Sequence, residues 1–276
     1  MRKIVRQSWV KFARYLATYG LIHALYRAFR YPAIRLISKY KLRKICESND
    51  PRIIFARIYN TNWWGEKESI SGTGSTLAYT ERLREGLPDL IKKYAVKRVF
   101  DAPCGDFNWM QHVTKNTSIK YIGGDIVEPL IKYNQSEYGD KDTTFTHLDL
   151  TKNTLPKVDL LFCRDCLFHL SYKDISLVLN NFLGSSIPYL MTTSSAAPNG
   201  PRIENSDIAT SDWRLIDFFT EPFSLSQCDV LESISDEMVS VKAERSLILL
   251  NRATVQEIFK NLTTNIEATG QKLRPG

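Results

Sequence analysis

A chain of 276 residues with 43% hydrophobic and 24% charged residues has the balance of a soluble globular protein and the length for one sizeable core. Its net charge of +7 is unevenly spread: residues 1–46 hold twelve Lys or Arg and no Asp or Glu, leaving 25 basic against 30 acidic residues in the rest. That argues against nucleic acid bound across the body and leaves an anionic surface as the partner of the first segment. The five cysteines lack framework spacing, and the lone Cys163-x-x-Cys166 pair has no second pair for a zinc site, so neither disulfides nor a metal is expected.

Residues 1–46 read as a basic amphipathic helical extension. Trp9, Phe12, Leu16, Tyr19, Ile22, Leu25 and Phe29 recur every three or four positions, with cations between them. Pro32 breaks the segment. The longest uncharged run, Tyr15 to Tyr26, has twelve residues, too short to span a bilayer. No small-residue cleavage pattern marks a secretory signal, although an Arg-rich, acid-free start is shared by mitochondrial transit peptides. Two uses suit the pattern: a helix lying in an anionic membrane interface, or a helical pair packed on the body.

Residues 47–79 are expected to form a cap. Over 51–79 the runs Ile58–Gly65, with Trp63 and Trp64, and Glu68–Thr76, rich in Gly, Ser and Thr, argue against a regular helix or strand. Adjacent tryptophans are costly to leave in water, so they should pack over something. Thr80 to Tyr94 is a helix with Leu83, Leu87, Leu90 and Ile91 facing inward.

The chain is organised around Arg98–Met110. Val99 and Phe100 end a strand, Asp101 follows, then a Pro-Cys-Gly-Asp turn and a helix start, the place where open α/β sheets bind nucleotides. A pyrophosphate would meet Asp106 there, and two like charges about 4 Å apart cost roughly 4 kcal/mol at an effective dielectric near 20. The loop suits a cationic, hydroxyl-rich ligand better. Further strands are expected at Tyr121–Asp125, Phe145–Leu150, Val158–Cys163, Tyr189–Thr193, Leu231–Ser235 and Ser246–Leu250. Acids stand at three successive strand ends: Asp101, Asp125 and Asp149. From Thr263 onward the polar tail is expected to be loose.

Asp-Ala-Pro-Cys-Gly-Asp, residues 101–106, resembles the first motif of class I S-adenosylmethionine-dependent methyltransferases, acidic-x-Gly-x-Gly-x-Gly. Pro103 and Phe107 replace its first and third glycines, and only Gly105 is kept. Together with Trp64-Gly65, Glu68–Ser75, Cys163-Arg-Asp-Cys-Leu-Phe-His-Leu-Ser171, Trp213-Arg214 and Pro222-Phe223, roughly residues 55–250 resemble a bacterial group of these enzymes, some met in surface-polysaccharide contexts. The resemblance implies a Rossmann-like seven-stranded α/β sheet over residues 80–262, mostly parallel with the last strand antiparallel. Helices would cover both faces, with residues 263–276 as the tail.

It implies S-adenosyl-L-methionine as cofactor. Asp101 would hold its amino group, Asp125 its ribose hydroxyls and Asp149 its adenine amino group; Pro103, Gly105, Ile126, Leu150 and Arg164 would line the same site, and the cap would lie over the methionine end. His169 is the expected base for a hydroxyl acceptor, with Asp165 four residues earlier on the same helical face to orient it. Trp63, Trp64 and Trp109 offer faces to sugar rings. Arg164 and Arg214 would either grip an anionic substrate or neutralise local acids. The expected acceptor is a saccharide or small-molecule hydroxyl, in a cytoplasmic enzyme that contacts the membrane peripherally through residues 1–46. The Asn/Asp-Pro-Pro-aromatic run of amine-directed enzymes and the G-x-G-x-x-G of nicotinamide oxidoreductases are missing. The rival from another class is a non-catalytic module of the same fold that docks a biosynthetic complex at a membrane.

Overall fold

The computed structural model describes residues 48, 50–236 and 245–270. The basic segment 1–46, and its expected helices and membrane contact, lie outside the described residues. The described residues from Asp50 onward form one compact unit. None of the described helices is long and apolar enough to cross a membrane.

Seven strands make one sheet: β1 (Arg98–Asp101), β2 (Lys120–Asp125), β3 (Thr143–His147), β4 (Leu160–Cys163), β5 (Tyr189–Ser194), β6 (Glu232–Ser235) and β7 (Ser246–Asn251). Their order is β3-β2-β1-β4-β5-β7-β6. The pairs from β3 to β5 are parallel, and β7 runs antiparallel to both β5 and β6. This is the mostly parallel, Rossmann-like sheet with a reversed last strand that the sequence leads one to expect.

Side chains along the strands alternate between two apolar layers, as the pleat requires. Phe100, Leu161, Leu190, Ile248 and Leu250 enter one layer with α5 (Tyr172–Gly184) and α6 (Arg252–Ala268). Val99, Leu160, Phe162, Met191, Leu247 and Leu249 enter the other with α2 (Glu81–Lys93), α3 (Met110–Lys115) and α4 (Glu128–Tyr138). Both faces of the central strands are covered, which is why these strands are continuously apolar.

Three local expectations are corrected. The cap segment opens with a regular helix, α1 (Pro51–Asn60), because Asp50 accepts the Arg52 N–H at 3.0 Å and Pro51 occupies the first turn. β3 starts earlier than expected and ends at His147, paired with Asp125, so Asp149 lies in the following turn. The C-terminal tail is not loose from Thr263, since α6 continues to Ala268 with Leu262 and Ile266 buried.

Candidate active site

β1 and β4 are neighbours at the centre of the sheet, and the connections leaving them lead to β2 on one side and β5 on the other. This is the topological switch point, where open α/β sheets leave a crevice beyond the strand ends. Asp101, the last residue of β1, is buried, and one carboxylate oxygen accepts the Tyr121 hydroxyl at 2.7 Å. Burial pushes its pKa up to about 7 against that hydrogen bond and the attraction of Arg164. Asp125, ending β2, accepts backbone N–H groups from Gly105 at 3.2 Å and Val127 at 3.0 Å. Burial again dominates and raises its pKa to about 6. The two carboxylates are therefore desolvated acids, one of them tied to the turn that carries Gly105.

Gly105 has φ +53°, and a Cβ there would stand 2.3 Å from Ser71 Oγ. The turn after β1 is thus covered by the cap, and Asp106 fastens it. Its carboxylate accepts Ser69 Oγ at 3.0 Å, Ile70 N–H at 2.9 Å and Ser71 Oγ at 3.2 Å, and its own N–H donates to Ser71 Oγ at 2.9 Å. Asn108 adds bonds to Glu68 at 2.9 Å and the Ser75 carbonyl at 3.0 Å. The role of Asp106 was not foreseen, although Ser69 and Ser71 flanking Ile70 were visible as partners for an acid. Phe107, at the motif's third glycine, takes φ +59° and is held by rings: its centroid is 4.8 Å from Tyr121, 5.1 Å from Phe145 and 5.4 Å from Tyr138. Pro103 is half-buried in the same turn.

Asp149 is occupied by its own turn. Thr151 donates its N–H at 2.9 Å and its hydroxyl at 2.6 Å, and Lys152 lies 3.3 Å away. Burial raises its pKa, but these partners outweigh that and hold it below the ordinary value. Leu150 is buried beside it, and the Ile126 carbonyl accepts His147 Nε2 at 3.0 Å.

Beyond β4 the helical-face expectation fails. Asp165 has φ +56° and precedes a 3-10 turn, Leu167–His169, so it does not share a helix with His169. Asp165 instead pairs with Arg245 and with Arg164 Nη1 at 3.2 Å. The group that orients His169 is the Asp212 carbonyl, 2.9 Å from Nδ1. A carbonyl only accepts, so Nδ1 carries the proton and Nε2 is the basic nitrogen. Burial lowers the His169 pKa below 6.5, against the Asp212 bond and the Asp165 charge, and the nearby Arg214 charge adds to the lowering. Phe55 of α1 meets the ring edge-on at 6.4 Å.

Arg164 has a different task from the one expected. Nε and Nη2 fork onto Asp236 at 3.0 and 2.9 Å, Nη2 also reaches the Gly74 carbonyl at 2.8 Å, and Nη1 pairs with Asp165. Arg245 also bonds Asp236, at 2.9 and 3.1 Å, completing a cluster of two cations and two anions in which Arg164 and Asp236 are buried and Arg245 and Asp165 half-buried. Trp109 is buried against Phe162, with the Arg164 guanidinium 5.5 Å from its ring, so it has no free face for a sugar. Trp63 is half-buried and Trp64 is 42% exposed, packed beside Gly72. Trp213, 55% exposed and next to Phe168, is an aromatic the sequence reading did not single out for substrate. Arg214 is buried, and among the described residues its side chain donates from Nη1 to the Leu170 carbonyl at 2.7 Å.

No protein-family model and no curated protein matches the sequence. Among solved structures, the chain is similar to PigF solved with SAH, at 10% identity and a TM-score of 0.50, over 84% of this chain and 73% of that one. Human N-acetylserotonin methyltransferase in complex with SAM aligns at 13% identity and a TM-score of 0.42, over 88% of this chain and 66% of that one. The mitomycin 7-O-methyltransferase MmcR aligns at 11% identity and 0.48, over 72% and 57%. The chain thus spans just under two thirds of the human enzyme. The strand order, the reversed β7 and the likeness to PigF identify its fold as the seven-stranded Rossmann-like one expected from the sequence.

Proposed function

We propose that the protein is an S-adenosylmethionine-dependent methyltransferase that O-methylates a saccharide or small-molecule hydroxyl. The observation that carries this reading is the pair of desolvated carboxylates, Asp101 and Asp125, at adjacent strand ends beside the Gly105 turn. The donor set fits the cofactor. Asp101 suits its ammonium group, and the Asp125 lone pairs not used by Gly105 and Val127 suit the ribose hydroxyls. Asp149 and Leu150 would flank the adenine, with Ile126 and Pro103 against the same ligand. Structural neighbours solved with SAM or SAH support the same ligand. Arg164 contributes by holding the loop after β4 rather than by touching the cofactor.

When bound, S-adenosylmethionine supplies an electrophilic methyl group on a sulfonium centre. The chain's own work is to position the acceptor and remove its proton. His169, neutral near pH 7 and held at Nδ1, takes the hydroxyl proton at Nε2. Asp165, fixed by two arginines, sets the local field around that base. Trp63, Trp64 and the exposed Trp213 are the ring faces proposed for the acceptor. The basic residues 1–46 are proposed, on sequence grounds, as a peripheral anchor to anionic membrane, tested by salt-sensitive sedimentation with anionic vesicles.

Calorimetry with S-adenosylmethionine and S-adenosylhomocysteine tests the reading. Both should bind the purified chain, and Asp125→Ala should weaken both by about 10- to 150-fold, the cost of lost charged hydrogen bonds. A folded chain that binds neither is a non-catalytic module, not this enzyme.

A further inference from the structure

Two arginines that look alike in the sequence end up in opposite states. The Nε–Nη2 edge of Arg164 forks onto the Asp236 carboxylate, at 3.0 and 2.9 Å. The same edge of Arg214 is buried, and neither nitrogen has a hydrogen-bond partner among the described residues. The residue is only 6% exposed. A guanidinium edge kept from water and from acceptors is costly, and such a cation should be paired. Burial already lowers the Arg214 pKa, which its neighbours Tyr172 and Asp207 only partly offset.

The surroundings argue for a ligand rather than a packing accident. Arg214 lies over the Tyr172 ring, at 5.1 Å, and the Tyr172 hydroxyl is also buried without a partner. Ser211 Oγ is a third such group, on a residue held at φ +85°. The run that carries Ser211 and Arg214 is the one that fixes the base. Ser211 N–H donates to the His169 carbonyl at 2.7 Å, the Asp212 carbonyl accepts from His169 Nδ1 at 2.9 Å, and Arg214 N–H donates to the Phe168 carbonyl at 3.2 Å. Trp213, between them, is exposed.

We propose that the Arg214 edge is an oxyanion subsite, taking a carboxylate or phosphate group of the methyl acceptor in a two-point fork, with the Ser211 and Tyr172 hydroxyls as further donors. This assigns the acceptor an anionic class, such as an acidic or phosphorylated sugar or a hydroxy acid. It rests on the methyltransferase reading for the word acceptor, but the subsite itself is measured without any turnover. A fork of two parallel N–H donors matches the spacing of two oxygens on one such group, which a point charge does not.

The experiment is thermal melting of the full chain titrated with inorganic phosphate, with acetate, and with glucose as the neutral control, at ionic strength held constant with chloride. Saturable stabilisation by phosphate or by acetate, with none from glucose, is expected, and whichever ion acts names the group. Arg214→Gln should abolish it. Arg214→Lys keeps the cation and should weaken half-saturation by at least about tenfold, one charge-assisted bond lost; it decides the matter if Arg214→Gln does not fold. No saturable response to either ion in the intact chain, or an unchanged response in a folded variant, overturns the proposal. S-adenosylhomocysteine calorimetry on the same preparations scores the methyltransferase reading separately, since it does not depend on the anion result.

Discussion

The His169 imidazole is held by the backbone of Asp212, Nδ1 to carbonyl oxygen at 2.9 Å. That bond leaves Nε2 as the only nitrogen able to accept a proton. His169→Ala should lower turnover by about 10²- to 10⁴-fold, the usual worth of a general base, with cofactor affinity nearly unchanged. If the intact chain is the proposed methyltransferase, its kcat/KM should rise with pH through an inflection below 6.5 attributable to His169, because burial favours the neutral ring. Full turnover in the variant, with chemistry rate-limiting, would make His169 a structural residue and Asp165 the next base to test.

Asp101 adds a second pH dependence. Its pKa is raised to about 7, mainly by burial, against an ordinary value of 3.8. The folded state therefore holds the proton more tightly than the unfolded one. Its contribution to stability is fully present below pH 4 and is lost as pH rises to about 7, a loss on the order of 4 kcal/mol. Asp101→Asn keeps an acceptor for Tyr121 and should melt higher than the parent at pH 8, while losing affinity for a cationic cofactor. In the parent, S-adenosylmethionine affinity should climb with pH up to about 7 and then level off. Pooled calorimetry from pH 5.5 to 8.5, as an order-of-magnitude window around that value, checks both; an affinity flat across it would remove Asp101 from the ammonium site.

The cap should be released from the turn after β1 by a single change. Asp106 accepts three bonds from Ser69, Ile70 and Ser71, each to a charged oxygen. Asp106→Ala leaves the Ile70 N–H without that acceptor, at about 1.5–3 kcal/mol for each charged bond lost. Gly105→Ala attacks the same contact sterically, through its Cβ at 2.3 Å from Ser71 Oγ and its φ of +53°. Both variants should show faster amide exchange over residues 68–76 and weaker cofactor binding, with β4 and β5 still protected. Unchanged exchange in both would mean that the cap is held by other contacts.

The sheet was legible because its signals are local. Apolar runs of strand length and acids close behind them are read from neighbouring residues, and β1, β2, β4 and β5 fall within a residue or two of expectation. Of the proposed site, the strand-end acids were the legible part: Asp101 and Asp125 are both buried, and Asp125 holds the Gly105 turn. It was not legible where partners are remote in sequence: Asp106 meets Ser69 across 37 positions and Arg164 meets Asp236 across 72. Arg164 and Arg214 differ in what folds back onto them, which no spacing records. The Asp165–His169 interval misled because a helical face was assumed where Asp165 takes a left-handed conformation. The α1 start, by contrast, was readable from Asp50-Pro51, an N-cap followed by proline, and was masked by the Gly/Ser/Thr-rich stretch after it.

Asp236 should be the residue on which the crevice's stability most depends. Its side chain is 0% exposed and binds Arg164 and Arg245 together, joining the end of β4 to the residues beside β6 and β7. Through Arg164 Nη2 and the Gly74 carbonyl it also steadies the cap. Burial raises the Asp236 pKa, but the two guanidiniums outweigh it and the net shift is downward. With the folded pKa depressed, its stabilisation is present above the ordinary carboxylate range and is lost as pH falls through the folded value. Asp236→Ala leaves the buried Arg164 and the half-buried Arg245 short of a partner, a loss of about 3–5 kcal/mol. For a domain of this size that lowers the melting temperature by on the order of 10 °C. The variant should also lose much of the parent's acid-sensitive component of stability and show faster exchange at residues 72–76. A melting temperature within about 2 °C of the parent, less than 1 kcal/mol for a domain this large, would mean that Asp165 alone suffices for both arginines.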